Sequence, residues 1–443
     1  MDSISIDRRT ALKTLGVGVL AVGSTGTAAA KKDNSQDSDK TLRLFAEQAV
    51  DDTRELVTQG NYAYHATANG FAVVDIRNPG RPETVANVTV PESGPDILDV
   101  KVDGDLLGVA YNGTDGARFY DISDPADPQP LSLYENDSHY HNLFLAEGYA
   151  YFTRDSFTAP ACEIVDVRDP ENPAYVSQYT LTDDFPAFGP SQTNPIHDIY
   201  VQGDYLYMVF WDAGVVIADV SDKANPVMVS QFGDAPGADI PLEFTIPGFI
   251  DYSQRYYGSP GNAHYVQPSP DGKYVYVGAE TFPGDYTLFV GGVPVASFTV
   301  GGVYGGIDVW DVSDYDNPVK VSTIDAPDSP DVFRTSHNFD VTNNRLYASW
   351  YEGGVTVHDI TDPSNPEELY SYQVDGYQFW AAVRGRGFTL GGVYGADSDA
   401  SAGGLLVLHE DRGKKTPPGF AGAGAPTAPE SGLPSGVPDV EPN

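Results

Sequence analysis

Six segments of this chain share one spacing. "DIRNPGRP" opens at Asp75, "DISDPADP" at Asp121, "DVRDPENP" at Asp166, "DVSDKANP" at Asp219, "DVSDYDNP" at Asp311 and "DITDPSNP" at Asp359, each an Asp followed seven residues later by a Pro. The Asp-to-Asp intervals are 46, 45, 53, 92 and 48 residues. Self-similarity at such a period signals a stack of supersecondary units rather than one irregular domain. An apolar run precedes each Asp, often entered through Gly, as in "GFAVVD", "GVVIAD" and "GVTVHD". Further upstream lies a Tyr/Val-rich strand such as "YLYMVFW", and before it a tight turn and another alternating strand, as in "HDIYVQGDYLYMVF". A fourth short run, such as "VMVSQF", follows the Pro. Each unit therefore reads as a four-stranded antiparallel meander.

Units of this length and strand count are the blades of a β-propeller. The expected blades are residues 52–91, 96–134, 139–182, 195–234, 262–325, 335–375 and 377–410, seven in all. The last has no Asp…Pro turn and no outer strand, whereas "TLRLFAEQAV" at 41–50 precedes the first blade and is spare. The expectation is that this N-terminal strand completes the seventh blade, removing two exposed edges at once. In each Asp…Pro segment, Asp and Asn side chains bond local amides and Pro fixes φ at an edge position, so the repeat is structural. A calcium loop would need a Gly and a fuller ladder of oxygen ligands.

The apolar run, the Asp-[Val/Ile]-[Ser/Thr/Arg] step and the Asn-Pro ending resemble the LVIVD-repeat family of secreted and cell-surface propeller proteins, over residues from about 52 to 410. The resemblance implies the fold and an exported setting, and says little about activity.

The flanks fit export. Residues 1–30 carry paired Arg8 and Arg9, a Gly-rich apolar run and the small residues Ala28-Ala29-Ala30, similar to a twin-arginine signal. Asp7 and Ala11 depart from that pattern. Residues 31–40 read as a flexible mature N-terminus, 41–412 as the propeller, and the Pro/Gly/Ala-rich 413–443 as a disordered tail. The balance of 63 acidic and 25 basic residues, a formal charge of −38, excludes nucleic acid and anionic membrane as partners. Spread through every segment, it reads as the surface of a halophile's protein, since molar salt shortens the Debye length to roughly 3 Å. No apolar stretch approaches membrane-spanning length. Cys162 is the only cysteine, within "ACEIVDV", and reads as a small buried hydrophobe.

Four of eight histidines fall at one repeat position, the start of the innermost strand: His141, His197, His264 and His337, in four consecutive blades. The same register elsewhere gives Arg54, Leu98 and Phe379. Innermost strands line the central tunnel, so four imidazoles converge on the axis at one mouth. Neutral imidazoles suit iron, copper or zinc, and one such ion is the cofactor this arrangement calls for. The arrangement alone is similar to the axial histidines of the carotenoid oxygenases, with no matching motif. The competing reading gives each histidine a bond to its own blade's Asp, as in WD-type propellers; the pairs His141/Asp166, His197/Asp219 and His337/Asp359 are 25, 22 and 22 residues apart. Asn142, Asp198 and Asn338 follow the histidines, and strand alternation turns them away, so orienting partners must come from other blades.

Long connections cluster at the same mouth: "TDDFPAFGPSQTNP" before His197, the stretch before His264 carrying Phe244, Phe249, Tyr252, Tyr256 and Tyr257, and an extra hairpin in the fifth blade. Long aromatic loops of this kind form a lid or pocket wall. Two functions follow. The first is an extracellular or cell-surface binding module taking an unknown protein or small molecule on the long-loop face. The second is a metal-dependent oxidoreductase or oxygenase built on the four histidines. No Gly-x-Ser-x-Gly, His-Glu-x-x-His or phosphate-cradling loop supplies another chemistry.

Overall fold

Each Asp…Pro segment closes on itself through the same two bonds, and six such closures set the frame of the molecule. In this computed structural model, the described residues are 17–21 and 41–410 except 52, 92–95, 113–115, 137, 155–158, 242, 244, 291–292, 330–331 and 397–402. The backbone amides of Arg77, Ser123, Arg168, Ser221, Ser313 and Thr361 donate to Oδ1 of Asp75, Asp121, Asp166, Asp219, Asp311 and Asp359, at 2.8–3.0 Å. A second turn follows each, as where Asn225 N–H donates to Asp222 O at 3.0 Å. These Asx-type closures hold the step from third to fourth strand.

Seven four-stranded antiparallel sheets result. The fourth blade shows the plan: Ile196–Gln202, Tyr205–Phe210, Gly214–Asp219 and Val227–Phe232, hydrogen-bonded in chain order from axis to rim. In six of the seven blades a Gly begins or immediately precedes the third strand, because the outer strand's carbonyl lies against it. A Cβ at Gly214 would sit 2.3 Å from Phe232 O, and one at Gly354 2.1 Å from Tyr372 O; both residues also have positive φ. The ring closes as its sequence implies. Leu42–Ala49 pairs antiparallel with Gly404–Glu410, Leu42 opposite Glu410, and becomes the outer strand of the seventh blade.

The core lies between blades. Tyr151, Cys162 and Ile164 of the third blade pack against Ile199, Met208 and Phe210 of the fourth. Cys162 is fully buried and burial pushes its thiol up, as a structural cysteine requires. Four outer-strand serines tie each blade to the next blade's turn: Ser132 to Pro170 O, Ser177 to Lys223 O, Ser230 to Tyr315 O and Ser322 to Pro363 O, at 2.5–2.8 Å.

The expected fifth-blade hairpin forms, and the sequence reading did not foresee a helix beside it or a third strand on it. The stretch before His264 contains a helix, Ile246–Tyr257, capped by Thr245 Oγ1 accepting from Gly248 N at 3.0 Å, with Pro at its start. The fifth-blade insertion is the hairpin Gly284–Val290 and Val293–Val300, to which Val17–Ala21 adds as a third strand. Residues 1–16, 22–40 and 411–443, which hold most of the expected export signal and the expected tail, lie outside the described residues.

Candidate functional site

The innermost strands do not run straight into the tunnel mouth. Their ladders break between Thr53 and Leu56, Ile97 and Val100, Tyr140 and Leu143, Ile196 and Ile199, Ala263 and Tyr265, and twice in Tyr377–Arg384. A bulge sets extra residues against one partner and suspends alternation, so neighbours in sequence can both face the axis. Two stacked tiers of polar side chains follow, the second of which strict alternation had turned away.

The upper tier holds the four histidines. Ring centroids lie 4.4 Å apart for His141 and His197, 4.0 Å for His197 and His264, and 4.4 Å for His264 and His337. All four are buried. In the seventh blade the tunnel position belongs to Trp380, 4.4 Å from His337, rather than to Phe379; the paired register breaks turn Phe379 into the blade wall, against Tyr372. The two end histidines are oriented from neighbouring blades. His141 Nδ1 lies 3.4 Å from Asn112 Oδ1, and His337 Nδ1–H donates to Trp380 O at 2.6 Å. Burial drives His337 down to about 3, against the pull of the Trp380 carbonyl and with that of His141, so this imidazole is neutral at any physiological pH. The bond from each histidine to its own blade's Asp does not form. Three strands of alternating sense separate them, so the Asp carboxylates sit at the opposite face, bonded into their own turns.

Glu280 joins this tier from the residue just past Tyr274–Ala279. Its Oε2 lies 3.5 Å from His264 Nε2 and its Oε1 3.9 Å from His337 Nε2, while Tyr351 OH donates to Oε1 at 2.5 Å. Among the described residues, the donor atoms of His197, His264 and Glu280 lie within 4.8 Å of one another. Sequence reasoning missed Glu280 because one acid among 63 carries no signal. Its one mark was position, one residue past Ala279, which pairs with the residue before His264.

The lower tier is a buried charge cluster. Lys101 Nζ bonds Asp99 and lies 3.5 Å from Glu55 Oε1, and Asn338 Nδ2 donates to Glu55. Asn142 Nδ2 donates to His197 O at 2.8 Å, bracing the tier above. Burial raises Glu55 to about 7 against the attraction of Lys101, and raises Asp198 for the same reason. Burial also pulls on Lys101, but Asp99, Glu55 and Asp198 outweigh it and hold the ammonium charged.

The lid covers the histidines with aromatics. Trp211 lies 5.3 Å from His197; Tyr256 stacks on Trp211 at 5.2 Å and Tyr252 on Tyr256 at 5.3 Å. Trp211 Nε1–H donates to Tyr256 O at 2.7 Å, pinning the helix to the mouth. Of the expected wall, then, Tyr256 and Tyr252 form the stack leading to the site. Phe249 and Tyr257 instead pack on Leu288, Phe298 and Val300 of the hairpin and buttress the lid, and Phe244 lies outside the described residues. From the other side Phe333 packs on Tyr351 at 4.6 Å, and Tyr351 on His337 at 4.9 Å. A separate crevice of about 370 Å³, lined by Arg345, Arg384, Phe388 and Glu410, opens between the sixth and seventh blades at the far face.

The family model described as LVIVD repeat matches residues 51–90, 196–234 and 337–374, the first, fourth and sixth blades, so the chain carries LVIVD repeats. No curated protein is a significant sequence match. Among solved structures, the chain is similar to the β-propeller domain of Myceliophteria thermophila Cps50 (Swd1), with TM-score 0.54, 11% identity, and 83% of this chain and 99% of that one covered. It is similar to the WD40 β-propeller domain of Doa1 at TM-score 0.52 and 10% identity, over 84% and 97% of the two chains. A protein from Lactobacillus plantarum gives TM-score 0.51 and 10% identity, over 89% and 95%. At such identities the likeness is one of fold.

Proposed function

We propose that this protein is an exported LVIVD-repeat β-propeller working at the cell surface or beyond it as a binding module, whose working face is the lidded histidine mouth. The observation that carries this reading is the asymmetry of exposed apolar surface. Among the described residues, eight large hydrophobics are well exposed, and five of them, Ile240, Ile246, Val293, Val295 and Val303, lie on the lid. Clustered exposed apolar side chains with a polar surround are the mark of an interaction surface. The ligand is a protein or small molecule seated on that lid, and the acidic surface suits a saline exterior. No helix among the described residues is long and apolar enough to cross a membrane.

The test places a photo-crosslinking residue at Val295 on the lid or at Val319 on the opposite face, in the host cell. Adducts from Val295 alone are expected; equal adducts from both, or none from either, contradict the reading. Arg8→Lys with Arg9→Lys is expected to hold the precursor inside the cell, read by fractionation. A metal-dependent oxidoreductase or oxygenase remains the second reading, favoured by the donor atoms gathered at the mouth.

A further inference from the structure

Within the upper tier, the pair His264 and Glu280 has the spacing of two ligands on one ion rather than of a hydrogen bond. A hydrogen bond between an imidazole nitrogen and a carboxylate oxygen closes to roughly 2.7–3.2 Å. His264 Nε2 and Glu280 Oε2 stand 3.5 Å apart, although both side chains are buried and lie side by side. Two donors bound tetrahedrally to one ion, each by a bond of about 2.0–2.2 Å, are held about 3.4 Å apart. The observed separation fits the second arrangement. His197 supplies a third donor atom within 4.8 Å of both.

We propose that His197, His264 and Glu280 hold one divalent transition-metal ion at the tunnel mouth. This inference goes beyond the binding-module reading and does not depend on it. Two imidazoles and one carboxylate form the donor set that suits zinc, iron(II) or copper(II), and three protein ligands leave a further coordination position. The groups behind the ligands are the kind that orient a metal site. Tyr351 OH fixes Glu280 through Oε1 and leaves Oε2 toward His264. Asn142 bonds the backbone carbonyl of His197, and the Trp211 ring packs on its imidazole. His141 and His337 flank the set, each with Nδ1 directed at a neighbouring blade, and the ion's ligands are the middle pair. The carboxylate leaves a bound dication with one net positive charge, which the acidic protein as a whole stabilises.

The experiment uses the full chain purified without a histidine tag, stripped with a chelator and titrated with Co(II) as a spectroscopic probe, with zinc stoichiometry measured in parallel. One equivalent of either metal per chain is expected. Glu280→Gln keeps an acceptor for Tyr351, and so the fold, but loses the ligand charge; Co(II) affinity should fall at least tenfold. His264→Gln should do the same, while His141→Gln should change affinity less than tenfold. Unchanged melting of each variant shows that the loss is not one of folding. The proposal is overturned if the wild type binds no stoichiometric metal, if Glu280→Gln or His264→Gln binds within tenfold of wild type, or if His141→Gln is as damaging as either.

Discussion

The two faces of this ring are made in opposite ways. On the Asp…Pro face one local solution recurs: the same carboxylate accepts the same amide in six blades, and four serines reach the next blade's turn at one register. On the histidine face, corresponding positions carry Arg54, Leu98, four histidines and Trp380, and the connections swell into a helix and a hairpin. Sameness marks the face that holds the ring together. Divergence between duplicated units marks the face where side chains answer to something other than packing.

Four perturbations sharpen that contrast. The largest effect is expected from deleting residues 41–50. This strand removes two edges and buries Leu42, and each such side chain contributes about 1.5–3 kcal/mol. The deletion should abolish the cooperative thermal transition and produce oligomers by sedimentation; a monomer melting as wild type would show that closure is dispensable.

Next comes the lower tier. Burial raises Glu55 in the folded chain to about 7 from an ordinary 4.5, so the native state binds the more protons in that window. Its contribution is fully present below pH about 4.5 and is lost as pH rises through 7. His65, His337 and His358, depressed by burial to about 3, 3 and 4, run the other way, with stability lost as pH falls from about 6.5. The difference between wild type and Glu55→Gln isolates the carboxylate: the variant should gain relative stability between pH 5 and 8, read by denaturant midpoints. A constant difference would remove the argument.

The Asp…Pro face should yield smaller losses. Ser177→Ala deletes one inter-blade bond and should cost about 1 kcal/mol, seen as a lower denaturant midpoint at constant slope. Asp219→Ala, at an exposed turn where water competes, should lower the melting temperature less than Ser177→Ala does. Neither should alter Co(II) affinity; a change from either would mean that the two faces are not separable.

The ring was legible in the chain because its determinants are local and repeated. Asp-to-Pro spacing, strand alternation and a spare strand at 41–50 were enough to place seven blades and their closure. The gathering of His141, His197, His264 and His337 was legible for the same reason, since register alone carries them to one mouth. What register could not carry is the bulge. It brings Asn142, Asp198 and Glu55 to the axis and exchanges Phe379 for Trp380, and nothing in a strand's alternation announces it. Glu280 and Tyr351 belong to different blades and meet only in three dimensions. The helix Ile246–Tyr257 had a sequence signal, Thr245 with Pro247, obscured by the Gly and Pro around it.

The most direct test of the histidine face is an anomalous difference map from crystals of the full chain reconstituted with zinc, with data collected on both sides of the zinc absorption edge. The account predicts one strong peak per chain, within bonding distance of His197, His264 and Glu280, beneath the Trp211–Tyr256 stack. A map with no peak at the mouth, or one held by other residues while these three turn away from it, would contradict it.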